Sequence, residues 1–143
     1  MTSGTIFQLT PIGKIRKQAG QVWIDIDPAF KDAMTGLASF SHIHVLYWFH
    51  ENDTAEARSI LQVRPRKNPR NPLTGVFATH SPRRPNLIAM SICRISRIED
   101  HLIHIDGIDA HDNSPVIDIK CYIPSDIDAN EVRLPAWVKE DSV

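Results

Sequence analysis

Between residues 41 and 50 the chain reads Ser-His-Ile-His-Val-Leu-Tyr-Trp-Phe-His, and alternate positions fall into two sets. Ile43, Val45, Tyr47 and Phe49 face one way, while His42, His44, Leu46, Trp48 and His50 face the other. Successive side chains of a strand point to opposite faces, so a period of two predicts a strand with one wholly apolar side. The alternation recurs in Ile6 to Leu9, Val22 to Ile26, Ser59 to Val63, Val76 to Thr79, Leu87 to Ile98, Leu102 to Ile105 and Val116 to Ile123. One segment departs from it: Phe30, Met34 and Leu37 stand at i, i+4 and i+7, which predicts a short helix over Pro28 to Leu37, stopped by Gly36. Glu99-Asp100-His101 reads as a hairpin turn between two strands. About eight strands and one short helix predict an all-β fold. A closed or nearly closed β-barrel suits it best, because closure leaves no unpaired edge.

The 143 residues predict one domain spanning 1–143, with no internal repeat or linker and an extended acidic tail from about 125 to 143. Within that tail Leu134-Pro135-Ala136-Trp137-Val138 is expected to dock on the body or on a second subunit. Glycines stand at 4, 13, 20, 36, 75 and 107, too far apart for either a G-x-G-x-x-G turn or a P-loop. The longest apolar run, Val45 to Phe49, is far short of a membrane span, and the first residues lack a basic region followed by an apolar core. A cytoplasmic protein without membrane association is expected. Cys93 and Cys121 lie in separate apolar stretches and read as small hydrophobes, not as a disulfide or zinc pair.

The net charge of −1 conceals a strong asymmetry. Residues 57–98 carry nine basic side chains and no acidic one, whereas residues 99–143 carry three basic and eleven acidic. Pro65, Pro69, Pro72, Pro82 and Pro85 interrupt the basic segment, so its charges are displayed on stiff loops. Such a surface suits phosphate; the alternative is that these arginines pair with the acids of the last third.

Three clusters carry candidate chemistry. Gly36-x5-His42-x-His44 begins like a cupin metal signature, but Trp48 and Phe49 stand where a carboxylate ligand is needed, so no metal site is expected. Thr79-His80-Ser81-Pro82-Arg83-Arg84-Pro85-Asn86 leaves a strand into a proline-braced loop whose two guanidinium groups lose little entropy on gripping a ligand, or simply forms a rigid connection. Asp106-Gly107-Ile108-Asp109-Ala110-His111-Asp112 clusters carboxylates at a strand end, where they suit a cation, a ribose hydroxyl pair or a proton, or form a solvated turn.

Four stretches, taken in order, resemble the TsaA-like domain family, whose characterised members are TrmO-type tRNA methyltransferases. They are Pro11-Ile12-Gly13-Lys14-Ile15; Gly36-Leu37-Ala38-Ser39-Phe40-Ser41-His42-Ile43 continuing to Phe49-His50; Gly75-Val76-Phe77-Ala78-Thr79-His80-Ser81-Pro82-Arg83-Arg84-Pro85-Asn86; and Pro115-Val116-Ile117-Asp118-Ile119-Lys120 to Tyr122-Ile123-Pro124. The resemblance implies a single-sheet β-barrel, a homodimer, S-adenosyl-L-methionine as methyl donor, and N6-threonylcarbamoyladenosine beside a tRNA anticodon as acceptor. Carried over by position, it implies donor contacts at His50, Glu51, His80, Met90, Asp106, Gly107, Ile108 and Asp109. Asp109 and His80 are the candidates for removing the acceptor's proton. Arg64, Arg66, Lys67, Arg70, Arg83 and Arg84 would hold the RNA backbone, with Trp48 or Tyr47 available to stack on a base. The family usually has Arg where this chain has His80, which makes any contact from that position pH dependent. Two other readings remain open: a donor-binding sensor or RNA-binding module without activity, and a small-molecule methyltransferase.

Overall fold

The computed structural model describes residues 4–140. Six strands form a closed barrel in the order β1-β2-β7-β6-β3-β8, all neighbours antiparallel. They are β1 (Gly13–Gln18), β2 (Gln21–Ile26), β3 (His42–Trp48), β6 (Ile88–Glu99), β7 (Leu102–Ile105) and β8 (Pro115–Cys121); β4 (Gln62–Val63) and β5 (Thr74–Gly75) make a separate ribbon.

Two hairpins fix the register. Ala19 (φ 51°) and Gly20 (φ 78°) form the two-residue left-handed turn that matches strand twist, joining Gln18 to Gln21. Asp100, at φ 55°, turns β6 into β7 as the sequence predicts. Closure rests on Gly13, which pairs with both Ile26 and Val116. A Cβ there would lie 2.4 Å from the Asp25 carbonyl oxygen, so only glycine lets these strands approach. The seam continues past the ladder, through Ile15 N–H donating to Ser114 (2.9 Å) and Asn113 N–H to Ile15 (2.7 Å).

The alternation in β3 is observed: Ile43, Val45 and Tyr47 are buried and their neighbours half-buried. With Ile15, Ile24, Ile103 and Val116 they fill the barrel, each large aliphatic side chain worth about 1.5–3 kcal/mol relative to exposure.

Several sequence expectations are corrected. Among the described residues Ile6 to Leu9 pairs with no strand, and the first strand is instead Gly13–Gln18, whose Lys14, Arg16 and Lys17 mask a single fully buried Ile15. Ser59 to Val63 divides between helix α1 (Ala55–Ser59), capped by the Thr54 hydroxyl, and the short β4. Val76 to Thr79 is a 3₁₀ turn over Val76–Ala78, and Pro28–Met34 is 3₁₀ rather than α, started by Asp27 accepting from Ala29 N–H. The C-terminal segment is largely exposed as far as helix α2 (Ala136–Glu140); Trp137 touches the body, 5.7 Å from the Arg66 guanidinium, whereas Leu134 is 51% exposed. Residues 141–143 of the expected tail and 1–3 of the expected domain lie outside the described residues. No helix is long and apolar enough to cross a membrane among the described residues.

Candidate functional site

Antiparallel pairing places one set of chain connections together. β3 ends where β6 and β8 begin, since Trp48 pairs with Ile88 and Tyr47 with Val116; β7 ends, and the β1–β2 hairpin turns, at that same barrel end. The long excursion between β3 and β6, with its basic prolyl loops, therefore leaves from and returns to the end that also carries residues 106–112.

His50 and Glu51 occupy a 3₁₀ turn directly after β3. Glu51 reaches across to His111, with 3.4 Å between its Oε2 and Nε2, so the β3 exit and the acidic turn are one surface. That turn is held from several sides. Asp106 N–H donates to Arg94 O (3.1 Å) and its carboxylate pairs with the Arg94 guanidinium (3.4 Å). Lys17 Nζ donates to Ile108 O at 2.8 Å, and Asp112 accepts from Lys17 N–H at 2.8 Å and Arg16 Nε at 3.2 Å. Those donors hold the Asp112 carboxyl below the usual carboxylate range, the Lys17 amide contributing most. No side chain crowds Gly107, around which a Cβ would meet nothing within 4 Å.

Asp109 is exposed in the acidic turn, close enough for its charge to act on Tyr47. Burial pushes the Tyr47 phenol up, a hydrogen bond with Ser91 opposes the shift, and the negative charge of Asp109 raises it further. Sequence reasoning placed Tyr47 among possible base-stacking aromatics, but it is buried, with Phe49 in edge contact at 5.9 Å. Its burial was legible in principle, since its parity in β3 turns it inward. Trp48 is half-buried, its Nε1–H donating to Asp53 (3.0 Å) and its ring 5.6 Å beneath the Arg58 guanidinium.

Met90, on the outer face of β6, is 61% exposed, and its neighbours Ile88 and Ile92 are 41% and 54% exposed, giving an apolar wall beside the acidic turn. His80 is exposed in the turn before the return to β6; among the described residues no hydrogen bond or ion pair joins it to His50, Glu51 or Asp109. The structure thus brings His50, Glu51, Met90 and Asp106 to Asp109 to one end and leaves His80 on the adjoining loop.

The basic residues divide by what they touch. Arg64 Nη1 donates to Asn71 O (2.8 Å), and Arg84 Nη1 donates to Thr79 O (3.1 Å) and Ser81 O (3.2 Å), so both guanidinium groups brace their own loops. Arg58, Arg94 and Arg97 pair with Asp53, Asp106 and Glu99. Lys67, Arg70 and Arg83 are exposed and have no ion pair among the described residues. Arg66 and Lys67 are presented by consecutive left-handed residues (φ 58° and 54°), a turn held by Asn71 Nδ2 donating to Pro65 O at 2.9 Å.

A cleft of about 340 Å³ lies at the opposite end of the barrel, lined by Ile26, Phe30, Met34, Phe40, Ile103 and Cys121 among others. It contains neither carboxylate nor imidazole, so the candidate chemistry lies on the open shelf at the other end.

The family model of the tRNA-methyltransferase O N-terminal domain matches residues 6–129. A probable S-adenosyl-L-methionine-binding protein of Pyrococcus horikoshii is 48% identical over 116 residues, covering 81% of this chain and 82% of that protein. The tRNA (adenine(37)-N6)-methyltransferase of Homo sapiens is 40% identical over 91 residues, 64% of this chain and 20% of that protein. Among solved structures, a crystal structure of TrmO superposes with a TM-score of 0.69 at 30% identity, and TrmO from Pseudomonas aeruginosa with 0.68 at 27%. The matches cover 92% and 93% of this chain but only 64% and 62% of those two. By sequence across most of its length and by the barrel that sequence builds, the chain belongs to the tRNA-methyltransferase O N-terminal domain family.

Proposed function

We propose that this chain is an S-adenosyl-L-methionine-dependent methyltransferase acting on N6 of a tRNA adenosine next to the anticodon, with threonylcarbamoyladenosine as the acceptor, and that it works as a homodimer. The observation that carries the reading is the convergence at one barrel end of the Glu51–His111-linked acidic shelf and the basic prolyl loops. The relatives supply the substrate class: the mammalian ones are named tRNA methyltransferases, and archaeal ones S-adenosyl-L-methionine-binding proteins.

The donor set fits such a ligand. Carboxylates at Asp106 and Asp109 suit ribose hydroxyls and the ammonium group, His50 suits the carboxylate, and the exposed Met90 and Ile88 side chains offer an apolar wall for a purine. When bound, the donor supplies an electrophilic methyl group on a sulfonium.

What the chain's residues contribute is orientation, water exclusion and a proton acceptor. Asp109, exposed in the acidic turn with its charge felt at Tyr47, takes the proton from the acceptor nitrogen in this reading. Lys67, Arg70 and Arg83 hold the RNA backbone by charge, while Arg64 and Arg84 keep their loops in shape. A lone subunit leaves the Ile88, Met90 and Ile92 wall open to solvent, and excluding water from a reacting sulfonium needs a second surface over it. A second subunit provides one.

One observation favours a second reading, in which the donor binds without transfer: among the described residues His80 makes no hydrogen bond or ion pair with the acids. Calorimetric titration with S-adenosyl-L-methionine, followed by incubation of labelled donor with tRNA carrying or lacking threonylcarbamoyladenosine or with a small-molecule extract, tests both. Label entering only the modified tRNA, and lost in Asp109→Asn even at saturating donor, is the expected result. Binding without label supports the second reading, label in small metabolites supports a different acceptor, and no binding refutes both donor-dependent readings.

A further inference from the structure

Residues 4–11 have no place in their own subunit. Ile6, Phe7 and Leu9 are 88%, 85% and 53% exposed, and among the described residues no backbone hydrogen bond involves this segment. The chain is first anchored at Ile12, whose N–H donates to Val116 O at 2.8 Å. An apolar stretch with strand patterning thus stands exposed and unpaired just before the barrel.

The barrel has a matching gap. β6 is 12 residues long and β7 only 4, and their pairing stops at Ile95↔Ile105, followed by Asp106 N–H donating to Arg94 O at 3.1 Å. On its other side β6 pairs with β3 all the way from Ile88 to Arg94. Among the described residues, then, no strand lies along the β7 side of residues 88–93. In an antiparallel ladder the N–H and C=O of a residue point to one side and alternate along the strand. The parity set by Arg94 therefore turns the backbone groups of Met90 and Ile92 toward the gap. An open edge bearing exposed apolar side chains invites a further strand.

We propose that the arm of residues 4–11 adds as a strand to the open 88–93 edge of β6 in a second copy of this chain. Within its own subunit the arm stays exposed and makes no backbone hydrogen bond among the described residues, so its pairing groups are available to a second copy. A two-fold axis lets both arms exchange at once, giving a closed, self-complementary contact. The added strand lies beside Met90 and the Arg94–Asp106 pair, so each subunit completes the donor shelf of the other. This inference rests on the dimeric reading above and specifies how the dimer is made.

Amide hydrogen exchange read residue by residue tests it, on the full chain and on a Phe7→Asp, Leu9→Asp variant, with sedimentation giving the oligomeric state. In the wild-type dimer the Met90 and Ile92 amides are expected to exchange at least tenfold more slowly than in the variant, with protection falling on dilution. Val45 should stay protected in both, showing that the barrel remains folded. Unprotected Met90 and Ile92 amides in a wild-type dimer, or equal protection in the variant, would overturn the arm exchange while leaving the dimer standing. A wild-type chain that is monomeric at all concentrations would overturn both.

Discussion

Replacing Lys67, Arg70 and Arg83 together with alanine removes three exposed cations that neither pair with an acid nor brace a loop among the described residues. Each phosphate contact to single-stranded or duplex RNA contributes about 0.7–0.9 to the slope of log affinity against log salt, so the triple variant should flatten that slope by about 2–2.7. Between 50 and 200 mM salt the wild-type affinity should accordingly fall about 20–40-fold further than the variant's. The contrast lies with Arg64 and Arg84, whose guanidinium groups are spent on the carbonyls of Asn71, Thr79 and Ser81. Arg64→Ala and Arg84→Ala should loosen their loops and lower affinity while changing the salt slope far less than three contacts' worth. Fluorescence anisotropy with labelled tRNA at four or five salt concentrations reads both quantities. An unchanged slope in the triple variant, or an equal slope loss in Arg84→Ala, would refute the division into gripping and bracing residues.

Gly13→Ala should destabilise the fold by about 1–3 kcal/mol, because the new Cβ meets Asp25 O at 2.4 Å where the barrel closes; a denaturation midpoint no lower than wild type would contradict this. Lys31 beside Asp100 is the main cause holding that carboxyl down at about 2, with His101 adding to it. A depressed carboxylate contributes stability above its unfolded value of about 3.9 that is lost as pH falls toward 2. Lys31→Ala should therefore move the Asp100 titration, followed by carboxyl-carbon resonance, upward toward the ordinary carboxylate range and weaken the acid dependence of unfolding between those pH values.

Much of the barrel was legible in the chain because a half-buried strand announces itself by alternation. In β3 the two faces could be assigned from His42 to His50 alone, and the structure buries Ile43, Val45 and Tyr47 as that pattern requires. Gly13–Gln18 was not legible, since three charged side chains surround the single inward Ile15 and its identity as a strand comes from pairing with β2 and β8. Ile6 to Leu9 shows the converse. Its pattern is that of a strand, but among the described residues it pairs with no strand of its own subunit.

The sequence alone determined the local chemistry: which segments alternate, where proline and glycine force turns, and that the cations cluster in 57–98 while the acids gather after 99. Those are properties of neighbours along the chain. Only the tertiary structure decided which cations remain available, because Arg64 and Arg84 are consumed by carbonyls of their own loops and Arg94 by Asp106 from another strand connection. It also decided that Glu51 and His111, 60 positions apart, form one surface and that the Asp109 charge acts on Tyr47. Both depend on antiparallel registers that bring the ends of β3 and β7 to one rim, and pairing between distant strands is set by closure of the whole barrel.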